Sequence, residues 1–529
     1  MSRKKPPVGK TPGNGLKNER MMLTGMSEWR QQHPTATLRE IEEAMDERLN
    51  KLRARMLEDL VKMSPQADWR ASPKEERPVC ERCGKPLVSR GKQRRQLQTS
   101  GGQQGESERS DGTCPDGGQG LFPLDKELGL TSSDRTPRAQ EGLVRLASWR
   151  PFARAAQVLE SLVGVHVSKA SARRATLQTG TLLDEEWNQQ AVQLQEETTV
   201  APTRAPQQVF SADGAMVPLV AGIGAEVKTL AIGTVEAPKE AGKAVHVRDL
   251  SYCSRLTDVP GFEQATLVEI HRRGVEQACA VAAVMDGADW LQGVIDYHRA
   301  DAVRILDVPH AAEYANAIGE AVRAAGFSLP KTWLEGVLHR LKHEGPERVL
   351  SHLARLSQRC GTPEVHKKWQ YLLRRHDQMQ YPRFQQENWP IGSGMVESAN
   401  TVVVEARLKG SGMHWERANV NAMLVLRTAV CNDRWEETWM IAQHQHQQRQ
   451  FQRRAQLAQK RRDRAAARLL DETIRWQLAR SVPKPPPPVP LSTPPAPSAP
   501  KGRTEAQYRW GRQPMTPKGR QIHAQFAKK

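Results

Sequence analysis

Asp213, Asp286 and Glu397 are the residues whose surroundings point most directly to chemistry. Residues 208–212 form a short β-like run ending at Asp213-Gly214, and the apolar run AVAAVM (280–285) ends at Asp286-Gly287. A carboxylate closing a buried strand is costly unless a cation or hydrogen bonds compensate it. A third short run, 302–306, leads into Asp307-Val308-Pro309-His310, and Glu397 falls in the first turn of a helix beginning near Gly394. Two strand-end aspartates and a helical glutamate can converge on a pair of Mg²⁺ or Mn²⁺ ions, which take oxygen ligands and substrate phosphate oxygens. Two such ions clamp the attacking and leaving oxygens of an in-line phosphoryl displacement. Each residue also has a plainer reading. Asp-Gly starts turns, and a glutamate favours a helix N-terminus.

The elements that must position these groups alternate along the chain. Residues 207–312 mix short β-like runs with polar breaks, and 313–385 are helical in pattern, with Trp333, Val337, Leu341, Val349, Leu353 and Leu356 at helical spacing. Upstream, 152–162 reads as a helix with Phe152, Ala155, Ala156, Leu159 and Leu162 on one face, and Gly164 can end it. Ser168 is an N-cap candidate for a second helix reaching about Thr179, with Gly180 after it. That helix carries Lys169, Arg173 and Arg174, so the pair reads as a helix-turn-helix able to enter a DNA major groove, or as an ordinary helical hairpin.

Nearer the N-terminus, residues 36–62 place Ile41, Met45, Leu49, Leu52, Met56 and Leu60 at steps of three and four, as in a bundle helix or a short coiled coil. The first 35 residues are basic, with Pro and Gly at their start, and are expected to lack structure. The net charge of +19 is concentrated at the other end. From residue 441 onward the chain has 19 Lys and Arg against 4 Asp and Glu. There, 441–480 is a Gln- and Arg-rich helix candidate, and 10 of the residues 483–500 are Pro, an extended linker without a core. Residues 481–529 thus form a Pro-rich basic tail, either solvated or bound to a polyanion such as nucleic acid.

No apolar run approaches the ~18–20 residues that span a bilayer, and the basic N-terminus lacks the apolar stretch of a secretory signal. Seven cysteines, an odd number, argue against a disulfide framework. The expectation is a cytoplasmic protein with no membrane partner.

Read together in order, SADGAMVPL (211–219), VMDGADW (284–290), LDVPHAAEY (306–314), PIGSGMVESA (390–399), RLKGSGMHW (407–415) and NDRWEETW (432–439) give a specific resemblance. The chain is similar, over about residues 78–440, to bacterial insertion-sequence transposases of the ISKra type, members of the DDE superfamily. GLFPLDKELGL (120–130) and the 152–180 hairpin belong to the same resemblance. It implies a multidomain α+β protein with an RNase H-like α/β catalytic core at 207–440 and an all-helical insertion at about 320–385. A helix (36–70), a zinc-ribbon-like module (78–120) and a helix-turn-helix-like domain (136–183) precede that core. The resemblance makes Asp213, Asp286 and Glu397 the catalytic, Mg²⁺-holding residues. It likens Asp307 and His310 to the active-site-adjacent D-x-x-H of Mutator-like relatives. The implied partner is double-stranded DNA, both the element's terminal inverted repeats and the target, bound by a homo-oligomer at the bacterial nucleoid.

One departure stands out. The family shows two Cys-x-x-Cys knuckles, but here only Cys80 and Cys83 form a complete one; the second reads Cys114-Pro-Asp-Gly117. Three thiolates fall one short of a closed tetrahedral zinc site, and the stretch before Cys114 lacks the alternation of a strand. The module is therefore expected to be degenerate, holding zinc weakly if at all. The leading expectation is a transposase that cleaves its element's ends by hydrolysis and joins the 3′-OH ends to target DNA. The alternatives are a catalytically silent DNA-binding derivative and an RNase H-like nuclease without strand transfer.

Overall fold

The computed structural model describes residues 15–70, 72–197, 206–220, 222–236 and 245–481. The chain divides into two units, Met1–Arg462 and Asp463–Lys529. In the second, the described residues 463–481 are helical. The Pro-rich basic tail and the first 14 residues lie outside the described part.

Helix α1 (Gly15–Gln32) corrects the expectation of a structureless first 35 residues. No proline interrupts residues 14–33, and Pro34 comes only after the helix has ended. Helix α2 (Leu38–Lys62) starts at a capping box in which Thr37 and Glu40 satisfy each other's backbone N–H groups.

The next segment is a second correction. Strands β1 (Val88–Gln98) and β2 (Gln104–Thr113) form a long antiparallel hairpin, to which β3 (Gly120–Leu121) adds. The expected absence of a strand before Cys114 is therefore wrong. The strand is there, but its buried positions, Gly105 and Ser107 on one face and Ser110 and Gly112 on the other, are filled by small residues. A Cβ at Gly112 would press on Leu87 and Trp69. More exposed positions pair opposite charges across the strands, with Arg94 facing Glu108 and Lys92 bonded to Glu108.

After α3 (Pro123–Glu127), helices α4 (Pro137–Trp149), α5 (Phe152–Val163) and α6 (Lys169–Glu196) pack around Leu143, Ala156, Leu159, Val165, Val167 and Ala172. Gly164 caps α5 with φ of 68°, and Ser168 caps α6, as the sequence predicts. Gly180, however, does not end α6. A Cβ there would sit 2.0 Å from the carbonyl oxygen of Ala422, so the glycine serves a close approach to a later helix.

The central sheet has five strands. β4 (Gln207–Pro218), β5 (Gly224–Glu236) and β6 (His246–Arg255) form an antiparallel meander. Helix α7 (Val259–Arg273) then leads to β7 (Ala280–Met285), parallel to β4, and α8 (Asp289–Arg299) to β8 (Val303–Leu306), parallel to β7. The order is β6-β5-β4-β7-β8. The apolar run of β7 is buried on both faces. Ala282 and Val284 join one core with Val209, while Ala283 and Met285 join another with Phe210, Phe262 and Leu291.

Helices α9 (Val308–Ala324), α10 (Trp333–Glu344), α11 (Pro346–Cys360), α12 (Pro363–Arg374) and α13 (Tyr381–Gln386) follow β8 and pack on the Val209 face of the sheet. The chain returns through α14 (Gly394–Ala399), a π-helical stretch at Asn400–Glu405 and α15 (Ala406–Leu408). Helices α16 (Arg417–Cys431) and α17 (Trp435–Ser481) complete the fold. The protein is thus a mixed α+β chain with a mixed five-stranded sheet, and no described helix is long and apolar enough to cross a membrane.

Candidate active site and cysteine cluster

Pairing between β4 and β7 runs from Gln207 opposite Ala280 to Phe210 opposite Ala283. Carried three residues further, the same register sets Asp213 level with Asp286. Both side chains alternate onto the sheet face that carries Val209, Ala282 and Val284. Asp213 is not at a strand end, as the sequence suggested. β4 runs on to Pro218, paired with β5 alone, because Ala215 and Val217 still find a core beneath the 394–408 helix. The aspartates lie where one core, under α9, gives way to the other.

Asp213 is half-buried. Its Oδ1 accepts from the Gly214 N–H at 2.7 Å and its Oδ2 from Asn400 Nδ2 at 2.9 Å. Burial holds its pKa above the ordinary carboxylate range, and the charge of Asp286 pushes the same way. Asp286 caps the turn into α8 by accepting from the Ala288 N–H at 2.7 Å. Its backbone carbonyl accepts from Tyr371 Oη at 2.6 Å, and Arg375 donates to the carbonyl of Gly287. The α12 region thus braces the loop that carries Asp286.

Asp307 is fully buried and holds three elements together. It accepts from the Ser393 N–H at 3.0 Å, from Ser393 Oγ at 2.8 Å and from His310 Nδ1 at 3.1 Å. The bond to Asp307 raises the His310 pKa, and the Asp286 charge adds to it against the opposing effect of burial. An imidazole with a raised pKa therefore stands within electrostatic reach of both Asp213 and Asp286.

Glu397 lies in the first turn of α14 and is exposed. It sits three residues, one helical turn, before Asn400, the residue that touches Asp213. The structure brings Asp213, Asp286, Asp307 and His310 together and sets Glu397 on the neighbouring helix. It does not draw Glu397 into a tight ligand set with the aspartates. Among the described residues, the group of three or more metal-ligating side chains with all ligand atoms within 4.8 Å is Cys80, Cys83 and Cys114. Sequence reasoning missed Asn400, Ser393, Tyr371 and Arg375. Only Asn400 carried a readable signal, its helical spacing from Glu397.

The cysteine cluster is built from two matching turns. Cys80 N–H donates to the Lys85 carbonyl at 2.9 Å and Gly84 N–H to that of Cys80 at 2.7 Å. The second turn repeats this, with Cys114 donating to Gln119 at 3.0 Å and Gly118 to Cys114 at 2.8 Å. Gly84 and Gly118 take left-handed φ values of 68° and 60°. Gly117 therefore stands where Cys83 stands in the first turn, and its N–H donates to Cys114 Sγ at 3.2 Å. The three thiols, two of them buried beside Trp69 and Leu87, could hold a metal ion such as zinc.

Lys169, Arg173 and Arg174 are all exposed on the first turns of α6. The β1–β2 tip docks on the turn before them, where Gly101 N–H donates to the Val163 carbonyl at 2.8 Å. No family model matches the chain, and no curated protein matches it.

Proposed function

We propose that the chain is a DDE transposase of the ISKra type, with an RNase H-like core formed by β4–β8 and their helices. The observation that carries this reading is that Asp213 on β4 and Asp286, directly after the parallel neighbour β7, lie within electrostatic reach of each other in a sheet ordered β6-β5-β4-β7-β8. The helices between residues 308 and 386 support its helical insertion, and the matching turns at Cys80 and Cys114 support a ribbon ancestry for the N-terminal module.

The donor set fits a hard divalent cation. It is all oxygen, the two carboxylates repel each other, and Asn400, bonded to Asp213 through Nδ2, has its Oδ1 buried without a partner. Asp213 and Asp286 would hold the ions, with Glu397 as the ligand from the helix side. When bound, such ions activate the attacking oxygen and stabilise the leaving oxygen of phosphoryl displacement. Asp307 fixes His310 through Nδ1, leaving Nε2 as the nitrogen that faces substrate, and the imidazolium form suits a DNA phosphate. Lys169, Arg173 and Arg174 contact the DNA backbone, which supplies affinity and register.

The test uses the full chain, Mg²⁺ and the inverted repeats that flank its gene. Wild type should cleave and join these ends, and Asp286→Ala should lose both while retarding the same DNA in a gel shift. Near-normal joining by the variant would overturn the assignment. Binding without cleavage by wild type would favour a silent derivative, and cleavage without joining a nuclease.

A further inference from the structure

Helix α2 carries an apolar stripe that the described chain leaves largely open, with only Ile41 and Leu52 half-buried. Leu38, Ile41, Met45, Leu49, Leu52, Met56, Leu60 and Met63 follow one another at steps of 3, 4, 4, 3, 4, 4 and 3. This is an 11-residue repeat. Leu38, Leu49 and Leu60 share one position, Ile41, Leu52 and Met63 a second, and Met45 and Met56 a third. Eleven residues per three turns keep such a stripe almost parallel to the helix axis, so it stays on one face.

The opposite face is the one the protein uses. Ala44 and Ala54 are buried, Glu58 accepts from the Glu106 N–H at 2.7 Å, and Asn50 lies against Gly101. On the stripe, Leu38 is 71% exposed, Met56 54% and Leu60 60%. Single exposed leucines are ordinary, but a continuous apolar face along seven turns marks an interaction surface.

We propose that this face pairs with the same face of a second copy of the chain, the two helices running antiparallel about a two-fold axis. Charge chooses both the occupant and its direction. Residues 38–47 hold five acidic residues and one basic, whereas 48–62 hold five basic and two acidic. Antiparallel pairing lays each acidic half on a basic half, and parallel pairing would set like on like. The two-fold operation brings Met45 beside the partner's Met56, and Asp46 beside the partner's Arg53 on one flank. This inference is independent of the proposed DNA chemistry.

Light scattering on the full chain over about 1–50 µM tests it. Wild type should show twice the 59.2 kDa chain mass, and Leu49→Lys/Met56→Lys should show the single mass with unchanged far-ultraviolet circular dichroism. Asp46→Lys should weaken the dimer about tenfold, because two symmetry-related contacts change sign. Adding Arg53→Glu should restore it. A single-chain mass for wild type, or an intact dimer in Leu49→Lys/Met56→Lys, would overturn the pairing. An unweakened Asp46→Lys dimer would overturn the antiparallel direction.

Discussion

Asp213 on β4 and Asp286, directly after the parallel strand β7, each lie three residues beyond the last paired positions, Phe210 and Ala283, and Asp286 is close enough for its charge to act on Asp213. One lies mid-strand and the other just past a strand end, so they meet in a notch where β7 stops and β4 continues. Two half-buried carboxylates facing the same side in such a notch repel each other.

Burial of Asp213, with that repulsion added, has a pH signature. The Asp213 carboxyl titrates above its ordinary value in the folded chain, so over the interval between the two values the folded state holds a proton that the unfolded state has released. Stability therefore falls as pH rises through that interval. Asp213→Asn should melt higher than wild type at pH 7, with the gain shrinking towards pH 4. Mg²⁺ should raise the wild-type melting temperature at pH 7 and leave that of Asp213→Asn almost unmoved. A lower melting temperature for the variant at pH 7 would refute a raised Asp213 pKa in the folded chain.

Asp307 carries the neighbouring prediction. Removing its carboxylate strands the Ser393 N–H, the Ser393 hydroxyl and His310 Nδ1, so Asp307→Ala should cost about 3 kcal/mol. His310 gains its raised pKa first from this bond. Its contribution to stability is complete below the unfolded histidine value and is lost as pH rises through the folded one. Histidine ring signals followed by NMR should show one midpoint above the ordinary value that drops in Asp307→Asn. An unmoved midpoint would mean that another group sets it.

The parts of this site that the sequence revealed are those with a one-dimensional signal. The run AVAAVM announced a strand buried on both faces, and its end announced Asp286. The β1–β2 hairpin was hidden because buried positions of β2 are Gly and Ser. At Gly112 the packing value comes from what presses on it, Leu87 and Trp69, and hydropathy does not register that. Asp307 was visible as a residue, but its grip on Ser393 spans 86 positions, a distance no local pattern encodes.

Gly180 shows the same limit and offers a direct test. Read locally it is a helix stop; in the fold it admits the Ala422 carbonyl 2.0 Å from where a Cβ would lie. Helix propensity alone predicts that Gly180→Ala stabilises α6 by about 1 kcal/mol. The clash is with backbone, which cannot swing aside, so the observed change should be a loss of about 2 kcal/mol or more. Chemical denaturation separates the two signs, and a net gain would show that α6 and α16 can move apart freely.

The last prediction concerns the incomplete cysteine set. Gly117 occupies in the second turn the place that Cys83 holds in the first, and its backbone is not in the left-handed region. A Cβ built there would lie 3.4 Å from Cys114 Sγ and 3.9 Å from its Cβ, ordinary contact distances. Gly117→Cys should therefore enter without displacing anything and add a fourth thiolate to three that are already gathered. Losing even a residue that only supports a metal ligand costs about 10–100-fold in affinity, so a new direct ligand should raise zinc affinity by at least that much. Because structural zinc couples to folding, the variant should also resist proteolysis across residues 70–130 and lose that resistance when a strong chelator removes the metal. Zinc per chain after dialysis against a moderate chelator is the deciding number. About one in the variant and near none in wild type is the expected result. A wild type that keeps its zinc would show that a ligand beyond the three cysteines closes the site, and zinc in neither protein would show that the cluster holds none.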